Sequence, residues 1–279
     1  MNAKLTALAT ANPRRYVTQA EAYHALTSYF SLASGERSLY ERLLLEGPIR
    51  GRYVAVDRDE EICCDDPDKL TQRFVDHARI IGAQAARAAM TRANLVPDHI
   101  DAIVTNTCTG YLCPGLSSYL AEDLALPDSV AAFDLAGMGC GAAIPNLECA
   151  VRLVQSQAKR TVLSVAVEIC SATFFQGPDP DLIVSNSIFG DGAAAAIVQD
   201  TSDDASTPAL LDFLDFESAL QPRRREELRY RCETGRLRNV LAKSVPDIAA
   251  KSVAQVTERL LARHGLTPET IHFFAVHPG

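Results

Sequence analysis

The sequence predicts a layered α/β fold, and two observations carry that expectation. Strand-length apolar runs alternate with segments of helical period along most of the chain. A helix–loop–strand unit also recurs: NLVPDHIDAIVTN at 94–106 aligns without gaps to GLTPETIHFFAVH at 265–277, an offset of 277 − 106 = 171. Leu95, Pro97 and Ile100 return as Leu266, Pro268 and Ile271. Such a match fits either an internal duplication or the general likeness of helix–strand junctions in α/β proteins.

The elements follow in order. Residues 17–46 are rich in Ala, Leu, Glu and Arg and read as helical, and PIRGRYVAV at 48–56 turns into a strand. The spacing of apolar residues over 71–94 predicts one long helix. IDAIVTNT (100–107) reads as a buried strand, SSYLAEDLAL (117–126) as a helix and VAAFDLA (130–136) as a strand. A helix is expected from Cys140 to about Gln157, then a strand in RTVLSVAVEI (160–169). SIFGDGAAAAIVQD (187–200) reads as two strand-like runs around Gly-Asp-Gly. The polar stretch DTSDDASTP (200–208) marks a hinge, dividing the chain into units 1–204 and 205–279. Beyond it come a strand (209–220), a charged loop containing Arg223–Arg225, a helix from about Pro246 to His264, and a last strand ending in His277-Pro278-Gly279.

Composition narrows the function. A chain of 279 residues, 47% hydrophobic and 22% charged, can bury a sizeable core. Its net charge of −8 argues against a general binder of nucleic acid or acidic membrane. The start, MNAKLTALATANPRRYV, lacks the apolar core of a signal peptide, and no apolar stretch is long enough to span a bilayer. The eight scattered cysteines therefore read as reduced thiols of a cytoplasmic protein, and Cys108-x4-Cys113 lacks the second ligand pair of a zinc site.

One thiol stands apart. DLAGMGCGAAIPNL places Cys140 between glycines, directly before a helical run. Amide groups and the dipole at a helix start stabilise a thiolate, and glycine lets a substrate approach closely. Cys140 is thus either a nucleophile or a small apolar filler in an Ala-rich helix. A nucleophilic thiol needs a basic or cationic partner. His24, His77, His99, His264 and His272 sit in helical, loop or strand-start contexts. His277 follows an apolar strand, where α/β sheets place their sites, and is the best partner.

At this point the motifs GMGCGAA, FGDGAAAAIV and FFAVHPG, in that order, resemble the type III polyketide synthases, the chalcone and stilbene synthase family of the thiolase superfamily. ATANP, PIRGRYV and TNTCTGYLCPGLSSYLAEDLAL are similar to that family as well, so the resemblance covers nearly the whole chain. It implies a duplicated αβαβα layered fold and an acyltransferase that condenses a starter acyl-CoA with malonyl-CoA through a cysteine thioester. Coenzyme A thioesters would be the substrates, with no cofactor, and the enzyme would be a homodimer. By position, Cys140 matches the acylated cysteine and His277 its partner. Phe189 matches a gating aromatic, and Cys108, Thr109, Cys170 and Thr173 match positions along the elongation cavity. Cys113 matches the residue inserted across the dimer interface. Arg42 matches a basic residue that contacts CoA phosphates, though a lone helical arginine equally suits a solvated surface.

The family's catalytic asparagine and Gly-Phe-Gly-Pro-Gly loop would lie past Gly279, and the repeat offset carries Cys140 to position 311. The second half is therefore expected to be incomplete and to favour acyl transfer over condensation. Two alternatives accompany this reading. One is an initiating ketoacyl-carrier-protein synthase, whose usual Cys-Ser-Gly and His-Gln-Ala-Asn contexts differ from those here; the other is a truncated, non-catalytic partner subunit.

Overall fold

The computed structural model describes residues 3–202 and 208–277. The expected boundary between 204 and 205, and Pro278-Gly279, lie outside the described residues. Ten strands and seven α-helices are formed among the rest. They begin with β1 (Ala3–Ala11), β2 (Arg15–Thr18), α1 (Gln19–Tyr29), α2 (Ser34–Leu44), β3 (Gly51–Val54) and α3 (Pro67–Arg92). Next come β4 (Ala102–Thr107), α4 (Leu116–Asp123), β5 (Ala131–Ala136), α5 (Ala143–Gln155), β6 (Thr161–Glu168), α6 (Pro180–Ile188) and β7 (Gly192–Asp200). The remainder holds β8 (Leu211–Asp212), β9 (Leu228–Glu233), β10 (Arg236–Leu241) and α7 (Val245–Arg263).

The central sheet has the order β5-β4-β6-β7-β1-β8. β4 runs parallel to both β5 and β6, while β7 is antiparallel to β6 and to β1. Alternation along each strand sorts side chains onto two faces. Ile103, Leu163, Val165, Val167, Ala195 and Ile197 join the core beneath α3. Ala102, Val104, Val162 and Val198 point the other way, into the cluster with Ala150, Val151 and Val154 of α5. Three layers result, helix on sheet on helix. Small residues let α3 lie close: Ala78, Ala85, Ala86 and Ala89 are fully buried. A Cβ on Gly82 would stand 3.1 Å from Leu120 and 3.2 Å from Val167. A third cluster, Leu26, Tyr40, Leu44 and Ile183, joins α1, α2 and α6.

α5 is fixed to the sheet by one buried side chain. Asn146 donates to Asn106 Oδ1 at 2.7 Å and to the Val165 carbonyl at 3.1 Å, and it accepts from Ser164 Oγ at 2.8 Å. The turn that carries Cys140 leads directly into this helix, so Asn146 also sets its position.

Several expectations change. The 17–46 stretch is not one helix: the chain is extended at Phe30, and α2 begins afresh at Ser34. Ser187 and Ile188 close α6 rather than form a strand, because Asp179-Pro180 starts a helix and Pro suits its first turn. Of 209–220 only Leu211–Asp212 pairs, against β1. The charged loop contains a β9–β10 hairpin, turned by Thr234 (φ 53°) and Gly235 (φ 79°), while Arg223–Arg225 are exposed as expected. Residues 271–277 form no strand: among the described residues no strand is paired with them, and Phe273 is 91% exposed.

The repeat is geometric as well as sequential. Leu95 N–H bonds Met90 O at 2.9 Å, and Leu266 N–H bonds Leu261 O at 3.0 Å. His99 N–H to Val96 O is mirrored by Thr270 N–H to Thr267 O, and Ile100 to Pro97 by Ile271 to Pro268. Asn94 and Gly265, at φ 54° and 63°, both turn the chain in the left-handed region. Transposed by 171, the buried α3 positions Phe74, Ala78, Ala85 and Ala89 become Val245, Ala249, Val256 and Leu260. α7 thus carries a matching apolar stripe, although within α7 only the neighbouring Leu261 is buried.

If Asn146 pins α5, Asn146→Ala leaves Asn106, Ser164 and a buried carbonyl short of partners. Urea unfolding should show a loss of roughly 2–3 kcal/mol, against a change within about 0.5 kcal/mol for exposed Arg223→Ala. Equal effects would show that Asn146 does not anchor the helix.

Candidate active site

The parallel register decides what meets at the end of the sheet. Thr107 of β4 pairs with Ala136 of β5, and Asn106 pairs with Ala166 of β6. The residues that follow these strands, Cys108, Gly137–Cys140 and Glu168–Cys170, therefore emerge side by side at the carboxyl edge, where α/β sheets carry their sites.

Gly137 (φ 76°) and Gly139 (φ 68°) adopt left-handed backbone, so the chain reverses within four residues after β5. Cys140 then sits in the short helical turn Gly139–Ala142, which runs straight into α5. As a residue Cys140 is exposed, with its sulfur turned partly inward. The neighbouring Cys108 thiol, with a smaller contribution from the local backbone amide, draws the Cys140 pKa below the ordinary thiol value. Burial and the Glu168 carboxylate act in the opposite sense and do not cancel it. The same interaction, with burial, pushes the Cys108 pKa far up.

Glu168 supports this arrangement from below. Its carboxylate accepts from the Cys108 N–H at 2.9 and 3.1 Å, the Thr109 N–H at 3.1 Å, Thr109 Oγ1 at 2.8 Å and Thr107 Oγ1 at 3.2 Å. Burial raises its pKa against the lowering effect of those donors. Thr109 is itself buried, and its hydroxyl also accepts from Ile169 N–H at 2.8 Å.

Asp191 of the Gly-Asp-Gly motif is a second internal anchor. It accepts from Ser171 N–H at 2.8 Å, Ser171 Oγ at 2.6 Å and Ala55 N–H at 2.5 Å, tying the 170–173 turn to the end of β3. Beside it lies a cavity of about 100 Å³. Its lining includes Arg52, Cys170, Thr173, Phe174, Phe189 and Asn239. Phe189 ends α6, and its carbonyl accepts from Arg52 Nη1 at 3.0 Å. Desolvation lowers the Arg52 pKa to about 10. Thr173 Oγ1 lies 3.2 Å from the Tyr230 hydroxyl, which brings the unforeseen hairpin to the cavity wall.

The structure thus gathers Cys108, Thr109, Cys140, Cys170, Thr173 and Phe189 around the strand ends. Cys113 is exposed on the loop before α4, Arg42 is exposed in the last turn of α2, and His277 lies exposed at the end of the extended 271–277 segment. Sequence reasoning missed Glu168, Arg52 and Tyr230. Glu168 had a signal, as the one acid in the apolar run RTVLSVAVEI; Tyr230 had none without the hairpin. Among the described residues no cluster of three His, Cys, Asp or Glu side chains could hold a metal, and no helix is long and apolar enough to cross a membrane.

A lowered thiol pKa has a kinetic signature. Alkylation of Cys140 by iodoacetamide follows the thiolate, so its half-maximal rate should fall below pH ~8.5, the value of a free cysteine. Cys108→Ala removes the donor and should move the midpoint upward by about one pH unit, equivalent to a hydrogen bond of ~1.4 kcal/mol. Cys108→Ser keeps a donor and should restore most of the shift. Identical profiles for all three would remove Cys108 from the control of this thiol.

Comparisons with known proteins agree with this geometry. A family model described as FAE1/type III polyketide synthase-like protein matches residues 61–277. The alpha-pyrone synthesis polyketide synthase-like protein Pks18 of Mycobacterium tuberculosis is 26% identical over 284 residues, spanning 99% of this chain and 72% of its own. The 3,5-dihydroxyphenylacetyl-CoA synthase of Streptomyces toyocaensis is 29% identical over 204 residues, 71% of this chain and 52% of its own. The crystal structure of PKS-I from the brown alga Ectocarpus siliculosus matches with a TM-score of 0.88 at 25% identity, over 100% of this chain and 77% of that one. The 1,3,6,8-tetrahydroxynaphthalene synthase of Streptomyces coelicolor shares the fold at TM-score 0.87 and 22% identity, over 99% and 78%. With its thiol presented at the ends of parallel strands and the family match running over most of its length, the chain belongs to the type III polyketide synthases of the thiolase superfamily.

Proposed function

We propose that Cys140 takes an acyl group from a starter coenzyme A thioester and that the acyl-enzyme is extended by decarboxylative condensation with malonyl-CoA. The observation that carries this reading is the exposed, glycine-flanked residue Cys140, its thiol held with lowered pKa just before α5. The thiolate attacks the thioester carbonyl carbon, and the coenzyme A thiolate leaves. Malonyl-CoA then loses carbon dioxide, and its enolate carbon attacks the Cys140 thioester, releasing the cysteine and forming a new carbon–carbon bond. His277, by its place after the FFAV run, would hold the thiolate in the first step and donate to the enolate oxygen in the second. A well-placed donor of this kind contributes roughly 3–4 kcal/mol.

Phe189, Thr173, Cys170, Cys108 and Thr109 supply the walls along which the chain grows, and Arg42 offers its guanidinium to the coenzyme A phosphates. The family assignment favours this chemistry over the initiating carrier-protein synthase. The protein would act in the cytoplasm without a cofactor.

Incubation with a panel of acyl-CoA starters, followed by peptide mapping, should place the acyl adduct on Cys140 and lose it in Cys140→Ala. Adducts confined to Cys108, Cys113 or Cys170 would overturn the assignment. Mass spectrometry of products formed with malonyl-CoA would identify the extension.

We also propose a homodimer that brings Cys113 of one copy toward the cavity of the other. Light scattering at micromolar concentration should give twice the 30.2 kDa chain mass, and an all-monomer population would refute it.

A further inference from the structure

The cavity beside Asp191 has a surplus of positive charge and of hydrogen-bond donors. Arg15, Arg52 and Arg73 line it, and among its lining residues Asp59 is the only carboxylate. Arg15 and Arg73 already have anionic partners. Arg15 Nη2 pairs with Asp59, yet Arg15 Nη1 stays buried without a hydrogen-bond partner. Arg73 pairs with the Glu61 carboxylate at 3.8 Å and donates to the Ser171 and Glu61 carbonyls at 3.0 and 3.2 Å.

Arg52 is the cation left over. Its Nη1 donates to the Phe189 carbonyl at 3.0 Å, and among the described residues nothing else bonds the guanidinium and no carboxylate pairs with it. Asp191, whose charge acts on Arg52, uses both oxygens on Ser171 and Ala55. Solvent does not fill the gap, since desolvation lowers the Arg52 pKa to about 10. A single carbonyl needs one donor, which glutamine or lysine would supply. A planar fork of parallel N–H groups suits a carboxylate, which only accepts. The rest of the wall is largely apolar, with Leu26, Val54, Ile62, Phe174 and Leu182. Its volume of about 100 Å³ has room for roughly seven to ten water-sized atoms.

We infer that this cavity binds a carboxylate carried on an alkyl chain of about six carbons, the carboxylate on Arg52 and the chain against Leu26, Ile62, Phe174 and Leu182. Two ligands have this chemistry. One is a free acid; the other is a coenzyme A starter whose acyl chain ends in a second carboxylate. Cys170, Thr173 and Phe189 line the same cavity, so either ligand would share the space assigned above to the growing chain. The starter form rests on the reading of Cys140 as the acylated thiol; the free-acid form does not.

The test uses the full 279-residue chain and ligand-observed NMR titration. Hexanoate is compared with hexanamide, its neutral counterpart of the same shape. Hexanoate should bind about tenfold more tightly, as charge-assisted bonds to a guanidinium require. Arg52→Gln keeps a donor for the Phe189 carbonyl; it should abolish that preference and leave hexanamide binding unchanged, which shows the cavity intact. Arg223→Gln, at an exposed arginine, should keep the preference. Equal binding of the two ligands to the unmodified protein overturns the inference without any variant. So does a preference that survives Arg52→Gln. Acylation of Cys140 by adipoyl-CoA and hexanoyl-CoA then separates the two sources. Several-fold faster acylation by adipoyl-CoA, lost in Arg52→Gln, identifies the far end of the starter, and equal rates identify the free acid. Hexanoate preference without acylation by either thioester sinks only the proposed function, and acylation without hexanoate preference sinks only this inference.

Discussion

The parallel alignment of β5, β4 and β6 is the constraint on which the site depends. Parallel strands end together, so whatever follows them is delivered to one edge. Thr107 opposite Ala136, and Asn106 opposite Ala166, bring three separate loops within reach of each other. A slip of one residue in either pair would turn Ile103 and Leu163 out of the core beneath α3, so burial enforces the register. The site inherits its precision from the hydrophobic layers.

Two buried carboxylates then convert that alignment into fixed geometry. Glu168 and Asp191 are both desolvated, and each accepts bonds from backbone amides and hydroxyls in the loops around it. Leaving such an acceptor unpaired inside a protein is expensive, so each carboxylate is surrounded by donors and the loops supplying them lose freedom. Neither side chain need touch a substrate to matter. The Gly-Asp-Gly motif, conspicuous in the sequence, acts here as a mechanical tie between Ser171 and Ala55.

Much of this was legible in the sequence, and the exceptions have physical causes. α3, β4 and β6 follow from apolar periodicity, and Cys140 stands out because glycine on both sides is unusual before a helix. β1 was hidden because AKLTALATA is poor in β-branched and aromatic residues, yet it is bonded to β7 along nearly its whole length. The β9–β10 hairpin was hidden by its arginines, although Thr234-Gly235 is a recognisable hairpin turn. Its burial depends on tertiary partners: Arg238 is 6% exposed because Asp179, Asp181 and Glu233 surround it. The 271–277 segment reads as a strand by composition, but strands are made by paired strands, and among the described residues none is paired with it.

The pairing of β1 with β7 also sets an order of events during synthesis. Ala3 meets Asp200, so β1 finds its central partner only after nearly two hundred more residues have been made. At 5–20 residues per second that interval is roughly 10–40 s. Through it β4, β5 and β6, whose partners are nearer in sequence, can assemble with α3 and α5, while the apolar face of β1 waits uncovered. The nascent chain is therefore most vulnerable to misassociation at β1, where Ala- and Thr-rich composition keeps the waiting strand only weakly adhesive.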